Sequence, residues 1–122
     1  MNAKRLLIVD DEPGFGEFVR QVALDLGYEV SVTTNGFDFQ KSYTDFQPTK
    51  IVLDMVIPDI DGNELLLWLL QKGYAADLII TTGFSPDYAQ DAKTLAEFNG
   101  LRAVTTLVKP VDLDRLRVAL ST

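Results

Sequence analysis

The chain has no cysteine and no histidine among its 122 residues. The first absence removes disulfides and thiolate metal sites. The second removes imidazole zinc ligands, a Ser-His-Asp triad and any internal phosphohistidine. A hard cation held by oxygen ligands stays open. Basic residues are also scarce: 11 Lys and Arg against 18 Asp and Glu give a net charge of −7, with no basic cluster. That argues against nucleic acid and anionic membrane as partners, because both require a Lys/Arg footprint. The apolar runs fall far short of the roughly 20 residues of a membrane span. Met-Asn-Ala-Lys-Arg, followed by a short run ending in acids, is no signal peptide. These absences leave a cytosolic protein as the default. Residues 1–122 contain no repeat, low-complexity stretch or linker, so they read as one domain.

What is present is strict alternation of short β-type runs with helical periods, five times over. The strands are expected at Arg5–Val9, Glu29–Thr33, Ile51–Asp54, Leu78–Thr81 and Ala103–Val108. The first helix begins near Pro13, with Phe15, Phe18, Val19, Val22, Ala23 and Leu26 as its apolar stripe and Gly27 as its stop. Asn35-Gly36 reads as a turn, and a second helix is expected over Phe37–Phe46 despite many β-forming residues. The third spans about Asn63–Lys72. The fourth follows Ser85-Pro86 and runs to about Asn99, and the fifth begins at an Asp112 cap. The pattern predicts an α/β fold, a doubly wound five-stranded parallel sheet flanked by five helices. A closed eight-fold barrel needs about 250 residues.

In such a sheet all strands end on one edge, and ligands bind there. Asp10, Asp11 and Glu12 follow the first strand, Asp54 closes the third, Thr82 lies just past the fourth, and Lys109-Pro110 closes the fifth. Taken singly, Asp10-Asp11-Glu12 reads equally well as acid at the start of a helix. The set is harder to explain that way. Like charges about 4 Å apart repel by roughly 4 kcal/mol at an effective dielectric near 20, so Asp10, Asp11 and Asp54 at one edge call for a cation. Mg2+ or Mn2+ suits them, since such an ion takes one or two carboxylates, keeps waters and leaves room for phosphate oxygens. Lys109 adds a positive charge able to pair with Asp54 or a phosphoryl group, and Thr82 adds a hydroxyl.

Val9-Asp10-Asp11-Glu12, the stretch Leu53-Asp54-Met55-Val56-Ile57-Pro58-Asp59-Ile60-Asp61-Gly62, Thr82-Gly83 and Lys109-Pro110 together resemble the receiver domain of two-component response regulators. The likeness covers the whole chain in register and implies the flavodoxin-like (βα)5 form of the fold. It implies that Asp54 is the phosphoacceptor and that Asp10 and Asp11, with Asp54 and the backbone carbonyl of Val56, hold Mg2+. Thr82 becomes the switch hydroxyl and Lys109 the phosphate-pairing lysine. The implied partners are a histidine kinase or histidine phosphotransfer protein upstream, and a downstream protein or fused output domain. In this reading the protein is a phosphoacceptor that assists its own phosphorylation and dephosphorylation, not a multiple-turnover enzyme.

Three features depart from the family pattern. Thr106 stands where an aromatic residue is usual, three before the lysine, so the aromatic part of the switch either passes to Phe84 or Tyr88 or is dispensed with. Val56 and Phe84, both apolar, flank the phosphoryl position and cannot orient a water by a side-chain hydrogen bond, so self-dephosphorylation is expected to be slow. The stretch from Gly83 to Lys109 is longer than usual, giving the fourth helix an extra turn or the loop after it extra residues. Leu67 and Trp68 point partly outward on the third helix. They read either as scattered surface apolars or as a contact patch for a homodimer mate, a kinase or an output domain. Among other functions, a phosphorylation-independent pseudo-receiver keeps the same fold. A haloacid dehalogenase-type phosphatase wants a second Asp two residues after its nucleophile. A flavin or nucleotide carrier wants a Gly- or Ser/Thr-rich first loop, where this chain has three acids.

Overall fold

The computed structural model describes residues 3–83 and 86–122. Five strands, β1 (Arg5–Val9), β2 (Glu29–Thr33), β3 (Lys50–Asp54), β4 (Asp77–Thr82) and β5 (Val104–Val108), alternate with five helices. These are α1 (Pro13–Asp25), α2 (Gly36–Phe46), α3 (Gly62–Gln71), α4 (Pro86–Phe98) and α5 (Leu113–Ser121). The strands form one sheet in the order β2-β1-β3-β4-β5, every neighbour parallel. Side chains alternate across the sheet, and that alternation divides the core. Leu7, Val9, Ile51, Leu53, Leu78, Ile80 and Val104 meet α2, α3 and α4 on one face. Leu6, Ile8, Val52, Ile79 and Leu107 meet α1 and α5 on the other. Because both faces are covered, the inner strands read as continuous hydrophobic runs.

The expected α1 stripe is the buried one, with Val19, Val22 and Ala23 inside and Phe15, Phe18 and Leu26 partly covered. Gly27 follows the helix with φ +90°, a conformation costly for any residue with a Cβ. The reading of Asn35-Gly36 as a turn needs correction. Asn35 is the N-cap of α2, its side chain accepting from the Asp38 amide at 2.8 Å, and Gly36 is the first helical residue. An Asx side chain turns the backbone the same way in both settings. In α2 the burial of Phe39 outweighs the local β preference. α4 ends at Phe98, and residues 99–103 lead to β5. Of the two apolar residues expected to face outward on α3, Leu67 is exposed. Trp68 is half-buried, set edge-on to Tyr43 with the Lys72 ammonium over its ring. Among the described residues no helix is long and apolar enough to cross a membrane.

Strand β3 starts one residue earlier than expected, at Lys50, which is 2% exposed. Its ammonium donates to the carbonyls of Ala119 (3.0 Å), Leu120 (3.3 Å) and Thr122 (3.0 Å) at the end of α5, and Tyr28 also donates to Leu120. A cation suits the negative end of the helix dipole, and Asp77 Oδ2 lies 3.8 Å from the ammonium. Lys50→Met, which keeps the apolar stem, is expected to lower stability by about 1–2 kcal/mol, because the Asp77 contact at 3.8 Å is lost while the Ala119 and Leu120 carbonyls keep the Thr122 and Tyr28 hydroxyls as donors. An unchanged urea midpoint would show that the ammonium holds nothing.

The order of strands reverses between β1 and β3, with β2 lying on one side of β1 and the rest of the sheet on the other. Such a switch point opens a crevice at the C-terminal ends of the two strands. Asp10 and Asp54 sit at that point.

Candidate functional site

Asp10 directly follows β1. Its amide donates to the Thr33 carbonyl at 3.1 Å, so the backbone continues the sheet and carries the side chain inside, fully buried. Asp10 Oδ1 accepts from the Glu12 amide at 2.8 Å, an Asx-type turn that starts α1. Asp11 and Glu12 are exposed. Asp54, the last residue of β3, is 3% exposed, and its Oδ1 accepts from the Val56 amide at 3.1 Å. Thr82 closes β4 and is fully buried. Its carbonyl accepts from the Lys109 amide at 2.8 Å, which brings the end of β5 beside it. The Lys109–Pro110 peptide that follows is cis.

The Lys109 ammonium joins these strand ends. It lies 2.8 Å from Asp10 Oδ2, 3.0 Å from Glu12 Oε1 and 3.4 Å from Asp54 Oδ2, with the Phe15 ring centroid at 4.6 Å. Residues from the ends of three strands, far apart in the chain, therefore meet at the Lys109 ammonium. The resting partner of Lys109 is chiefly Asp10, with Asp54 the most distant of its three carboxylates. Glu12 is a contact that sequence reasoning passed over, because an exposed acid beside a helix start looks like ordinary first-turn charge.

The electrostatics follow from burial. Desolvation pushes the Asp54 carboxyl up from 3.8 to about 6, helped by the nearby Asp10 charge and opposed by the Val56 amide and Lys109. Burial raises Asp10 as well, against the pull of Lys109 and the Glu12 amide. Desolvation works to lower Lys109, but Asp10, Glu12 and Asp54 outweigh it and hold the ammonium above its ordinary range. One ammonium is too little charge for this many carboxylates.

A cation fits that deficit. Asp10 Oδ2 is buried with Lys109 as its counter-charge and no aligned hydrogen-bond donor. One carboxylate oxygen from each of Asp10, Asp11 and Glu12 lies within 4.8 Å of the others. A hard divalent ion prefers such oxygen donors. Asp54 stands outside this trio and is linked to it through Lys109. Val56 lies two residues past Asp54 and is 41% exposed at the rim. Phe84, paired with Val56 in the sequence reading, lies outside the described residues. Tyr88, the other aromatic considered there, donates to Asp61 Oδ1 at 3.1 Å from the first turn of α4. Thr106 lies on β5, two residues from Val104 and so on the face that α4 covers. Chemically, the crevice offers a buried carboxylate nucleophile, an ammonium against it and acids for a cation.

Known proteins resemble this chain in sequence and fold. A family model described as the response regulator receiver domain matches residues 6–121. Sporulation initiation phosphotransferase F of Bacillus subtilis is 32% identical over 120 residues, which is 98% of this chain and 92% of that protein. Transcriptional regulatory protein PcoR of Escherichia coli is 29% identical over 113 residues, and the match spans 48% of its length. The signal receiver domain of a Luxo repressor protein from Vibrio parahaemolyticus superposes with a TM-score of 0.81 at 26% identity, covering 98% of this chain and 88% of that one.

Proposed function

The chain belongs to the response regulator receiver domain family, and from that premise we propose that Asp54 takes a phosphoryl group from a phosphohistidine on another protein. It is a phosphorylation-dependent signalling domain of two-component systems, a family of switches rather than ordinary enzymes. In our reading residues 1–122 form one receiver unit. The chain contains no histidine, so the donor imidazole comes from a partner kinase or phosphotransfer protein. The output is altered binding to a downstream protein or a fused output domain.

An oxygen of Asp54 attacks the phosphorus, and an O–P bond forms as the P–N bond breaks. The imidazole leaves with the electron pair of that bond. Lys109, already within 3.4 Å of Asp54, meets the negative charge spread over the equatorial oxygens, and such pre-placed charge is a large part of phosphoryl-transfer catalysis. Asp10, Asp11, Asp54 and the backbone carbonyl of Val56 would hold Mg2+ or Mn2+, which when bound supplies further positive charge to the phosphoryl oxygens. Thr82 stands at the adjoining strand end, and in this reading its hydroxyl hydrogen-bonds the product and passes its presence to α4.

The observation that carries this reading is the single ammonium shared by the acids that end β1 and β3. Incubation with acetyl phosphate and Mg2+, followed by intact-mass and peptide mass spectrometry, tests it. One phosphoryl group on the peptide containing Asp54 is expected, with labelling lost in chelator. A label on another residue, or equal labelling without divalent cation, would overturn it.

A further inference from the structure

The loop from Met55 to Asp61 leads from the acceptor to α3. At its start the Met55 amide donates to Thr81 and the Val56 amide to Asp54. At its end Gly62 lies directly on the backbone of Met55, where an added Cβ would come within 2.6 Å of the carbonyl oxygen. The middle is held by Asp59, which reaches across to α2. Its Oδ1 accepts from the Gly36 amide at 2.7 Å and its Oδ2 from the Phe37 amide at 3.0 Å. Next to it Ile60 covers Gly36, and a Cβ on that glycine would lie 2.6 Å from the Ile60 side chain.

Asn35, the local cap of α2, serves the Asp38 amide. The Gly36 and Phe37 amides of the same turn are capped from the acceptor loop by Asp59, so one carboxylate ties that loop to the helix end. Asp59 is exposed, so burial does not explain its placement. Its two bonds to main-chain amides are charge-assisted, stronger than neutral ones, and they keep its carboxyl below the ordinary range against the opposing effect of desolvation. Two short bonds and the fit of Ile60 on Gly36 fasten a loop that otherwise carries the exposed Val56 and Pro58.

We infer that Asp59 is a positioning residue: it clamps the acceptor loop to α2 so that Asp54 and Val56 stay in place for the cation. This rests on the reading of the site given above. Mg2+ binding measured by isothermal titration calorimetry, without a phosphodonor, tests it. Asp59→Ala is expected to weaken Mg2+ binding about 10-fold, as losses among groups that orient metal ligands do. Asp59→Asn, which keeps one acceptor oxygen, recovers part of that. Gly36→Ala, which drives Ile60 and the loop off α2, weakens it too. Asn35→Ala also removes an acceptor at the start of α2 but leaves the loop alone, and it is expected to bind Mg2+ as the parent does. Wild-type affinity in Asp59→Ala, or an equal loss in Asn35→Ala, overturns the inference while leaving Asp54 as acceptor intact. A parent protein that binds no Mg2+ and takes no label overturns both.

Discussion

Asp54→Asn is expected to yield a protein that folds, gains stability at pH 8 in chelator, and takes no label from acetyl phosphate. The two effects have separate causes. An amide oxygen is a poor nucleophile toward phosphorus, so an alkali-labile label on the variant would point to another acceptor. The gain in stability comes from charge. Asp54 is 3% exposed, and burial raises its carboxyl to about 6, so at pH 8 the folded chain holds an ionised group in a place that disfavours it. Each pH unit of that rise is worth about 1.4 kcal/mol. The amide gives up the attraction of Lys109 at 3.4 Å but also the repulsion of Asp10. The expected gain is about 1–3 kcal/mol, read from the urea midpoint with EDTA present. A loss of stability instead would mean that the Lys109 pair outweighs the burial of the charge.

The parts of this centre legible in the sequence are those that depend on chain direction. A hydrophobic run ending in Asp54, another ending in Asp10 and a third ending in Lys109 must place those residues on one edge once the strands are parallel, whatever their separation. β/α alternation makes them parallel. What could not be read depends on pairing across the fold. Asp59 is one of several loop acids, and its partners lie 22 and 23 residues back at the start of a helix whose own cap is local. Lys50 looks like a polar residue preceding a strand, whereas it hydrogen-bonds carbonyls about 70 residues later and faces Asp77 at 3.8 Å. Periodicity gives the face a side chain takes but not the group waiting there. Trp68 shows the same limit: its place in the helical stripe leaves it partly outward, and only the position of Tyr43 on α2 decides that its ring is covered.

The same imbalance of charge predicts how stability follows pH. Asp54 titrates near 3.8 when unfolded and about 6 when folded, and Asp10 is also raised by burial. Between those values the folded chain binds more protons than the unfolded chain, so stability rises as pH falls through 6 and is lost as pH rises through it. Lys109, held above its ordinary range, works in the same sense but only in alkali. Asp59 and Glu17 are lowered, and their contribution disappears as pH falls through their folded values. In chelator, stability is therefore expected to increase by about 1–2 kcal/mol from pH 8 to pH 5 on account of Asp54 alone. A bound divalent ion favours the ionised carboxylates, so saturating Mg2+ should raise stability at pH 8 and flatten or invert that slope. Asp54→Asn should flatten it without metal. Urea midpoints across this range, in EDTA and in Mg2+, measure all three. A parent protein whose slope is the same with and without Mg2+ would mean that the carboxylates at the ends of β1 and β3 do not answer to a cation. In that case Lys109 would be a sufficient counter-ion for the resting site.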